Sequence, residues 1–363
     1  MDVKSAFLNG ELNEEVYLEQ LEGFHRGKVD NTLYVKLHQD QFLILQVYVD
    51  DFMFCGSNTS LASEFANLLK TIFEMSLLGT LRYFLGLQIH QTSKGIFISQ
   101  QKYATKLLTK LNMTECKSVS TPLCPNSKLS LKCTTESVPS TLYRSIIASL
   151  LYLTTSRPDI MYSVGLVARF QSNPRLSHLQ AAKRILRYVK GTISYGLHYI
   201  FSSTLPIIAF LDADWGGSLP DRKSTSGYCY LLGSNLVSWL SKKQDTVSLS
   251  ISKAEYIAAS QAGSQLLWIH TTFANLGLQF SGPPKLYCDN QSAIAISKNP
   301  TLHWKSKHID IKYHFLRDKV QKGLIDITYL PTENQLADIM TKPLLPQRFS
   351  TLRALLRVVP RPF

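Results

Sequence analysis

The chain lacks most of the features that would announce its class. Its six cysteines, Cys55, Cys116, Cys124, Cys133, Cys229 and Cys288, form no CxxC pair and no zinc-ribbon spacing. A disulfide framework is not expected at this density, so a reducing compartment fits best. No apolar run reaches membrane-spanning length. The start, MDVKSAFLNGELNEE, has no apolar h-region, which predicts no signal peptide. No internal repeat occurs. Acidic residues are scarce: 26 Asp and Glu face 39 Lys and Arg, a formal net charge of +13 and a pI of about 9.4. Such a balance points to an anionic partner, nucleic acid first of all. The basic residues are spread along the chain, so no basic tail explains the charge. What remains is 363 residues, 45% of them hydrophobic, enough for two or three cored domains.

Patterning divides the chain. Residues 41–55 read as two strands, QFLILQVYV and FMFC, around a turn at Asp50-Asp51. Apolar residues at helical spacing cover 61–75. LRYFLGLQIH and GIFISQ read as strands, followed by the basic amphipathic helix QKYATKLLTKL. Residues 112–142 are rich in Ser, Thr, Pro and Lys without periodicity, which predicts a linker or an extended crossing segment. Three helical stretches follow, with Pro158 and Pro174 near the start of the second and third, and Gly191 as a stop. From about residue 204 the pattern becomes α/β. PIIAFLDADW is a strand, and Gly227 to Leu240 holds two more. Residues 252–276 are a long helix. KLYCDN is a strand, NQSAIAISKN and KSKHIDIKYHFLRDKVQKG are helices, LIDITYLP is a strand, and TENQLADIMTK is a last helix.

The acids matter most. Asp50 and Asp51 stand inside an apolar run, where bare carboxylates are costly. They are either a polar hairpin turn or part of a metal site with partners elsewhere. In the C-terminal half, Asp212 and Asp214 share one face of a strand, because side chains alternate. Glu255 opens the long helix. Asp289 stands where a strand hands over to a helix. Asp338 lies one turn into a helix whose capping box would be Thr332 with Gln335. Singly, each is an ordinary cap or surface group. Together they can converge on a cation cluster, because clustered carboxylates need neutralising charge and Mg²⁺ takes oxygen ligands. His303, His308 and His314 have the wrong spacing for a zinc finger and read as a basic, partly packed helix.

Long strings now carry a resemblance. LDADWGGSLPDRKSTSGYCYLLGSNLVSWLSKKQ, AEYIAAS, YCDNQSAIAISKNP, KHIDIKYHF and PTENQLADIMTKPL resemble the ribonuclease H domain of copia-type retrotransposon Pol polyproteins. MDVKSAFLNGELNEEVYLEQLEGF, YVDD, LRYFLGLQI, YRSIIASLLYLT and RPDIMYSVG resemble the same element's reverse transcriptase and connection region. The resemblance implies an α/β chain: an α+β palm remnant (1–111), a linker (112–142), a helical connection region (143–203), then a ribonuclease H-like mixed five-stranded sheet flanked by helices (204–358).

It also implies roles. In the polymerase, Asp2 and Asp50 would hold two Mg²⁺ ions beneath the incoming nucleotide, with Asp51 in support, for attack of a DNA primer's 3′-hydroxyl on an RNA template. In the ribonuclease H domain, Asp212, Glu255, Asp289 and Asp338 would hold two more Mg²⁺ ions, with Mn²⁺ as a substitute. One ion would activate water and the other would stabilise the leaving 3′ oxygen of an RNA–DNA hybrid. Only the resemblance selects Asp212 over Asp214. Asn334 would orient Asp338. Lys305, Lys307 and Lys312, beside Trp304, would touch phosphates. TYLPTEN offers no mobile histidine. The family implies an intracellular setting, a cytoplasmic virus-like particle or the nucleus.

Three departures shape the expectation. The chain begins at MDV, without the family's upstream fingers region. Asp2 and Asp50 are 48 positions apart, and EGFHRGK runs directly into VDNTLYVKLHQDQ where the family has a SLYGLKQ-type stretch. Lys253 stands where the family commonly has Glu. The expectation is a poor or dead polymerase and a ribonuclease H domain able to cut hybrids. The competing readings are a nucleic-acid-binding relic without chemistry and a translated pseudogene fragment.

Overall fold

A computed structural model describes residues 2–3, 23–38, 41–48, 51–72, 74–125, 129–130, 135–299 and 315–362. The chain divides into two compact units: residues 1–81 with 267–281, and residues 82–266 with 282–363. Both are mixed α/β.

The first unit is built on an antiparallel hairpin. Gln41–Tyr48 pairs with Asp51–Gly56, with Tyr48 opposite Asp51. The second strand begins earlier than expected, at Asp51, and Asp50 lies outside the described residues. Alternation puts Leu43 and Leu45 on the buried face. The helix Thr59–Ile72 covers that face with Phe65, Ala66 and Leu69, spaced to share one side. A short strand, Asp2–Val3, pairs antiparallel with Asp51 on one side and Met75–Ser76 on the other. Leu33–His38 and His25–Arg26 complete a six-stranded sheet.

The second unit holds two five-stranded sheets. One joins Tyr83–Phe84, Leu87–Thr92 and Gly95–Ser99 to Tyr195–Ile200 and Val358–Pro360. The last two strands were not expected from the sequence. Around this sheet pack the helices Gln101–Lys110, Ser140–Leu153, Met161–Ala168, Leu176–Gly191 and Pro346–Leu355, which share one large core with Tyr143, Ile147, Leu150, Val164 and Leu186 at its centre.

Part of the segment 112–142 packs on the helix Leu176–Gly191 through residues 116–121. Arg187 Nε and Lys190 Nζ donate to the carbonyls of Lys117 and Cys116, and Arg184 donates to Thr121. Those cations satisfy carbonyls that have no ladder of their own.

A buried ion pair ties the helices together. Arg157 donates two hydrogen bonds to Asp159, at 2.9 and 2.8 Å, and two more to Thr192. Tyr188 Oη donates to Asp159, and Arg353 donates to Tyr188. Burial alone would raise the Asp159 carboxyl; the charge and hydrogen bonds of Arg157 hold it below its usual value.

The other sheet is the mixed one that the resemblance implies. Its order is Asn235–Lys243, Thr225–Leu232, Ile207–Asp214, Lys285–Cys288, Asp326–Tyr329. The first three strands are antiparallel and the last two run parallel to the central strand. The helix Ile251–Asn275 lays Ala254, Ile257, Ala258 and Ala262 into the core, and Tyr228 and Tyr230 donate hydrogen bonds to Gln261 and Ala262 of it.

One expected element differs. TENQLADIMTK forms two 3₁₀ turns, Thr332–Asn334 and Leu336–Met340, and not an α-helix. The capping box is absent: Gln335 caps the second turn through Ala337, and the Thr332 hydroxyl is spent on Asp289. Pro331 and the tight approach of this segment to the sheet favour short turns over a regular helix.

Candidate metal centre

The central strand Ile207–Asp214 carries Asp212 at its end. The parallel neighbour pairs Phe210 with Tyr287, so the same register carried two residues on brings Asp289 beside Asp212. Ligand sites form at such carboxyl ends, where the strands stop and loops diverge. Asp289 is fixed by the Thr332 hydroxyl, which donates to its Oδ2 at 2.9 Å. Asn290 next to it caps the helix Gln291–Lys298, its side chain accepting from Ala293 N.

Glu255 comes from the long helix and is 3% exposed. Ala213 N donates to its Oε1 at 3.1 Å, which locks the helix to the central strand. Its Oε2 is buried and has no hydrogen-bond partner among the described residues. Asp338 arrives on the 3₁₀ turn. That turn reaches the sheet because residue 227, opposite Asp212 in the register, is glycine. A Cβ there would stand 2.6 Å from Met340 and Thr341. The Thr341 hydroxyl then donates a short hydrogen bond to Asp212.

The electrostatics follow from this crowding. Burial, with the charges of Asp338 and Asp289, pushes the Asp212 carboxyl up to about 6 against the opposing pull of Lys342. Burial first, then Asp212 and Asp289, pushes Glu255 well above its ordinary value. The cluster is short of positive charge. Lys342 supplies the nearest: its Nζ lies 2.7 Å from Asp338 Oδ1 and 3.6 Å from Asp212 Oδ2. Arg348 lies 3.4 Å from Asp338 Oδ2.

An open cleft of about 360 Å³ is lined by Asp212, Asp214, Trp215, Glu255, Asp289 and Lys342 among others. Glu255, Cys288 and Asp289 place donor atoms within 4.8 Å of one another. The oxygen-rich donor set and the orphaned Glu255 Oε2 fit a hard divalent cation.

Of the four acids that the resemblance selects, Asp212, Glu255 and Asp289 line this cleft, and Asp338 is linked to Asp212 through Lys342. Asp214 lines the same cleft, with its carboxylate against Gly217, and burial raises its pKa. No hydrogen bond from Asn334 to Asp338 occurs among the described residues, and Lys342 and Arg348 take that place. Sequence reasoning missed both. The Asp338–Lys342 spacing of four was a readable signal; nothing in the sequence marked Arg348. In the first unit, Asp2 faces Asp51 in antiparallel register, while the Asp2 side chain and all of Asp50 lie outside the described residues. So do Lys305, Lys307, Lys312 and the three histidines. Among the described residues no helix is long and apolar enough to cross a membrane.

The family described as reverse transcriptase (RNA-dependent DNA polymerase) matches residues 22–125. The chain is 36% identical, over 95% of its length, to the retrovirus-related Pol polyprotein from transposon RE1 of Arabidopsis thaliana, of which it spans 26%. It is 33% identical, over 72% of its length, to a putative transposon Ty5-1 protein of Saccharomyces cerevisiae, of which it spans 98%. Among solved structures, the N-terminal RNase H domain of a Mycobacterium tuberculosis protein aligns with 42% of this chain and 98% of that one, at 12% identity and a TM-score of 0.27, too low to carry an argument. The chain thus spans about a quarter of the RE1 polyprotein, and it belongs to the family of copia-type retrotransposon Pol polyproteins.

Proposed function

We propose that residues 204–358 hydrolyse the RNA strand of an RNA–DNA hybrid. The observation that carries this reading is the convergence of Asp212, Glu255 and Asp289 on one cleft, with Asp338 joined to Asp212 through Lys342 and with a buried Glu255 oxygen that has no hydrogen-bond partner among the described residues. These four residues would hold two Mg²⁺ ions, or Mn²⁺ in their place. Such ions supply the charge that activates a water and stabilises a leaving oxygen.

The chain's own groups do the positioning. Ala213 N fixes Glu255, Thr341 fixes Asp212, and Thr332 fixes Asp289. Trp215 is half-exposed at the cleft, its indole held by a 2.8 Å hydrogen bond from Nε1 to the Ser248 carbonyl. Its ring offers the hybrid a flat surface on which a sugar or base can rest. Lys305, Lys307 and Lys312 would add phosphate contacts, giving salt-dependent binding.

The polymerase signature reads differently. Asp2, Asp50 and Asp51 would form its metal site, and the shortened interval between Asp2 and Asp50 removes the residues that would support it. A site without its supporting shell loses geometry, so RNA-directed DNA synthesis is impaired in this reading.

The test is Mg²⁺-dependent cleavage of a labelled RNA–DNA hybrid by the full chain, beside Asp289→Asn. Cutting that disappears in the variant is the expected result. No cutting by the folded wild-type chain would favour the binding relic instead. Primer extension at ordinary rates on an RNA template would overturn the impaired polymerase.

A further inference from the structure

Lys342 is the cation that the acid cluster already owns. It follows Asp338 by four residues and stands 2.7 Å from one carboxylate and 3.6 Å from another. Asp212 and Asp338 are each nearly buried, whereas Lys342 is 35% exposed. One partner can therefore swing into water while the other two cannot. The ammonium is held in its charged form by Asp212 and Asp338, and Asp289 adds to the same field.

We propose that Lys342 is a built-in counter-cation: its ammonium bridges Asp212 and Asp338 in the metal-free chain and must leave for divalent ions to take those two carboxylates. This rests on the metal-site reading above. Two like charges in one partly dry cluster raise the energy of the fold unless a cation lies between them. Lys342 meets that need during folding and before metal arrives. The same contact competes with the metal, so it sets how much divalent ion the site requires. Lys342 is thus a positioning residue, and its flexible four-carbon stem suits the task, because a planar guanidinium would be harder to displace.

The experiment uses the full chain without nucleic acid. Mn²⁺ binding is followed by the loss of the free aqueous ion's paramagnetic resonance signal, for wild type, Lys342→Met and Lys342→Arg. Melting temperatures are recorded with and without Mn²⁺. Lys342→Met is expected to bind Mn²⁺ about tenfold tighter, since one competing charge is gone. It is also expected to melt lower without metal and to gain more from Mn²⁺ than wild type does. Lys342→Arg is expected to bind no tighter than wild type. If Lys342→Met fails to fold without metal, its refolding on Mn²⁺ addition supports the proposal and its failure to refold in excess Mn²⁺ overturns it. Wild-type binding with unchanged or weaker binding by folded Lys342→Met overturns the role of Lys342 alone. Absence of Mn²⁺ binding in all three chains overturns the metal-site reading beneath it and the proposal with it.

Discussion

The two units deal with acidic residues in opposite ways. In the first, Asp51 is half-buried on a hairpin strand, and Asp2, on a strand of two residues, is its register partner. Among the described residues the core behind that sheet comprises Phe24, Leu43, Leu45, Phe65, Ala66, Leu69 and Met75. In the second, Asp212, Glu255 and Asp338 are all nearly buried. They are held by Ala213 N, Thr341, Lys342 and Arg348 on a sheet with covered faces. Buried charge needs this much support, because each unpaired carboxylate costs several kcal/mol. The comparison teaches that a signature motif and a built site are different things. YVDD and the four later acids are equally recognisable in sequence; the supporting shell of the later acids lies among the described residues, whereas Asp50 and the Asp2 side chain lie outside them.

The largest expected effect tests that contrast directly. Asp289→Asn should reduce hybrid cleavage on the order of 100-fold or more, while Asp51→Asn should leave cleavage by the same chain within about twofold. Comparable losses from both would break the contrast. Next comes stability. Asp159→Ala strands Arg157 in the core, and the second unit should lose roughly 3–5 kcal/mol in urea denaturation. A loss under about 1 kcal/mol would mean that water replaces the carboxylate.

Leu45→Ala should cost about 2–5 kcal/mol, as should Leu150→Ala in the large core. Hydrogen exchange separates the two. Leu45→Ala should deprotect amides of Gln41–Tyr48, and equal deprotection of Ile207–Asp214 would show that both units open as one. Gly227→Ala pushes a methyl group into Met340 and Thr341. About 1–3 kcal/mol should be lost, with a fall in cleavage that Ala-for-Gly at the exposed Gly282 does not produce.

The smallest effect is pH-dependent. His178 Nδ1 accepts from Arg175 N, and its Nε2 meets the Ser130 carbonyl. Burial holds its pKa below the usual 6.5, although the Ser130 contact pulls the other way. A depressed histidine favours its neutral form, so its contribution is present above pH 6.5 and fades as pH falls through the lower folded value. The melting temperature should therefore drop more steeply below pH 6.5 in wild type than in His178→Gln.

Much of the fold was legible in the sequence. Alternation marked the strands Gln41–Tyr48 and Ile207–Asp214, and helical spacing marked Thr59–Ile72 and Leu176–Gly191. Tyr195–Ile200 and Val358–Pro360 escaped, because neither contrasts with its surroundings until it pairs with a partner far away in the chain. TENQLADIMTK carried helix signals and became two 3₁₀ turns, since docking against Gly227 and bonding Thr332 to Asp289 outweighed local propensity.

The identities of the four acids were likewise readable, as was the resemblance of the strings that hold them. Their convergence was not. Which of Asp212 and Asp214 turns toward Glu255, which cation sits among the carboxylates, and which oxygen is left without a partner depend on register, on one glycine and on a helix crossing a sheet. The sequence by itself determined the family, the alternation of elements and the chemistry-bearing residue types, because these are properties of local pattern. The tertiary structure alone decided the charge balance of the cleft, because electrostatic energy depends on distance and burial, and both are set by residues more than a hundred positions apart, as Thr341 and Asp212 are.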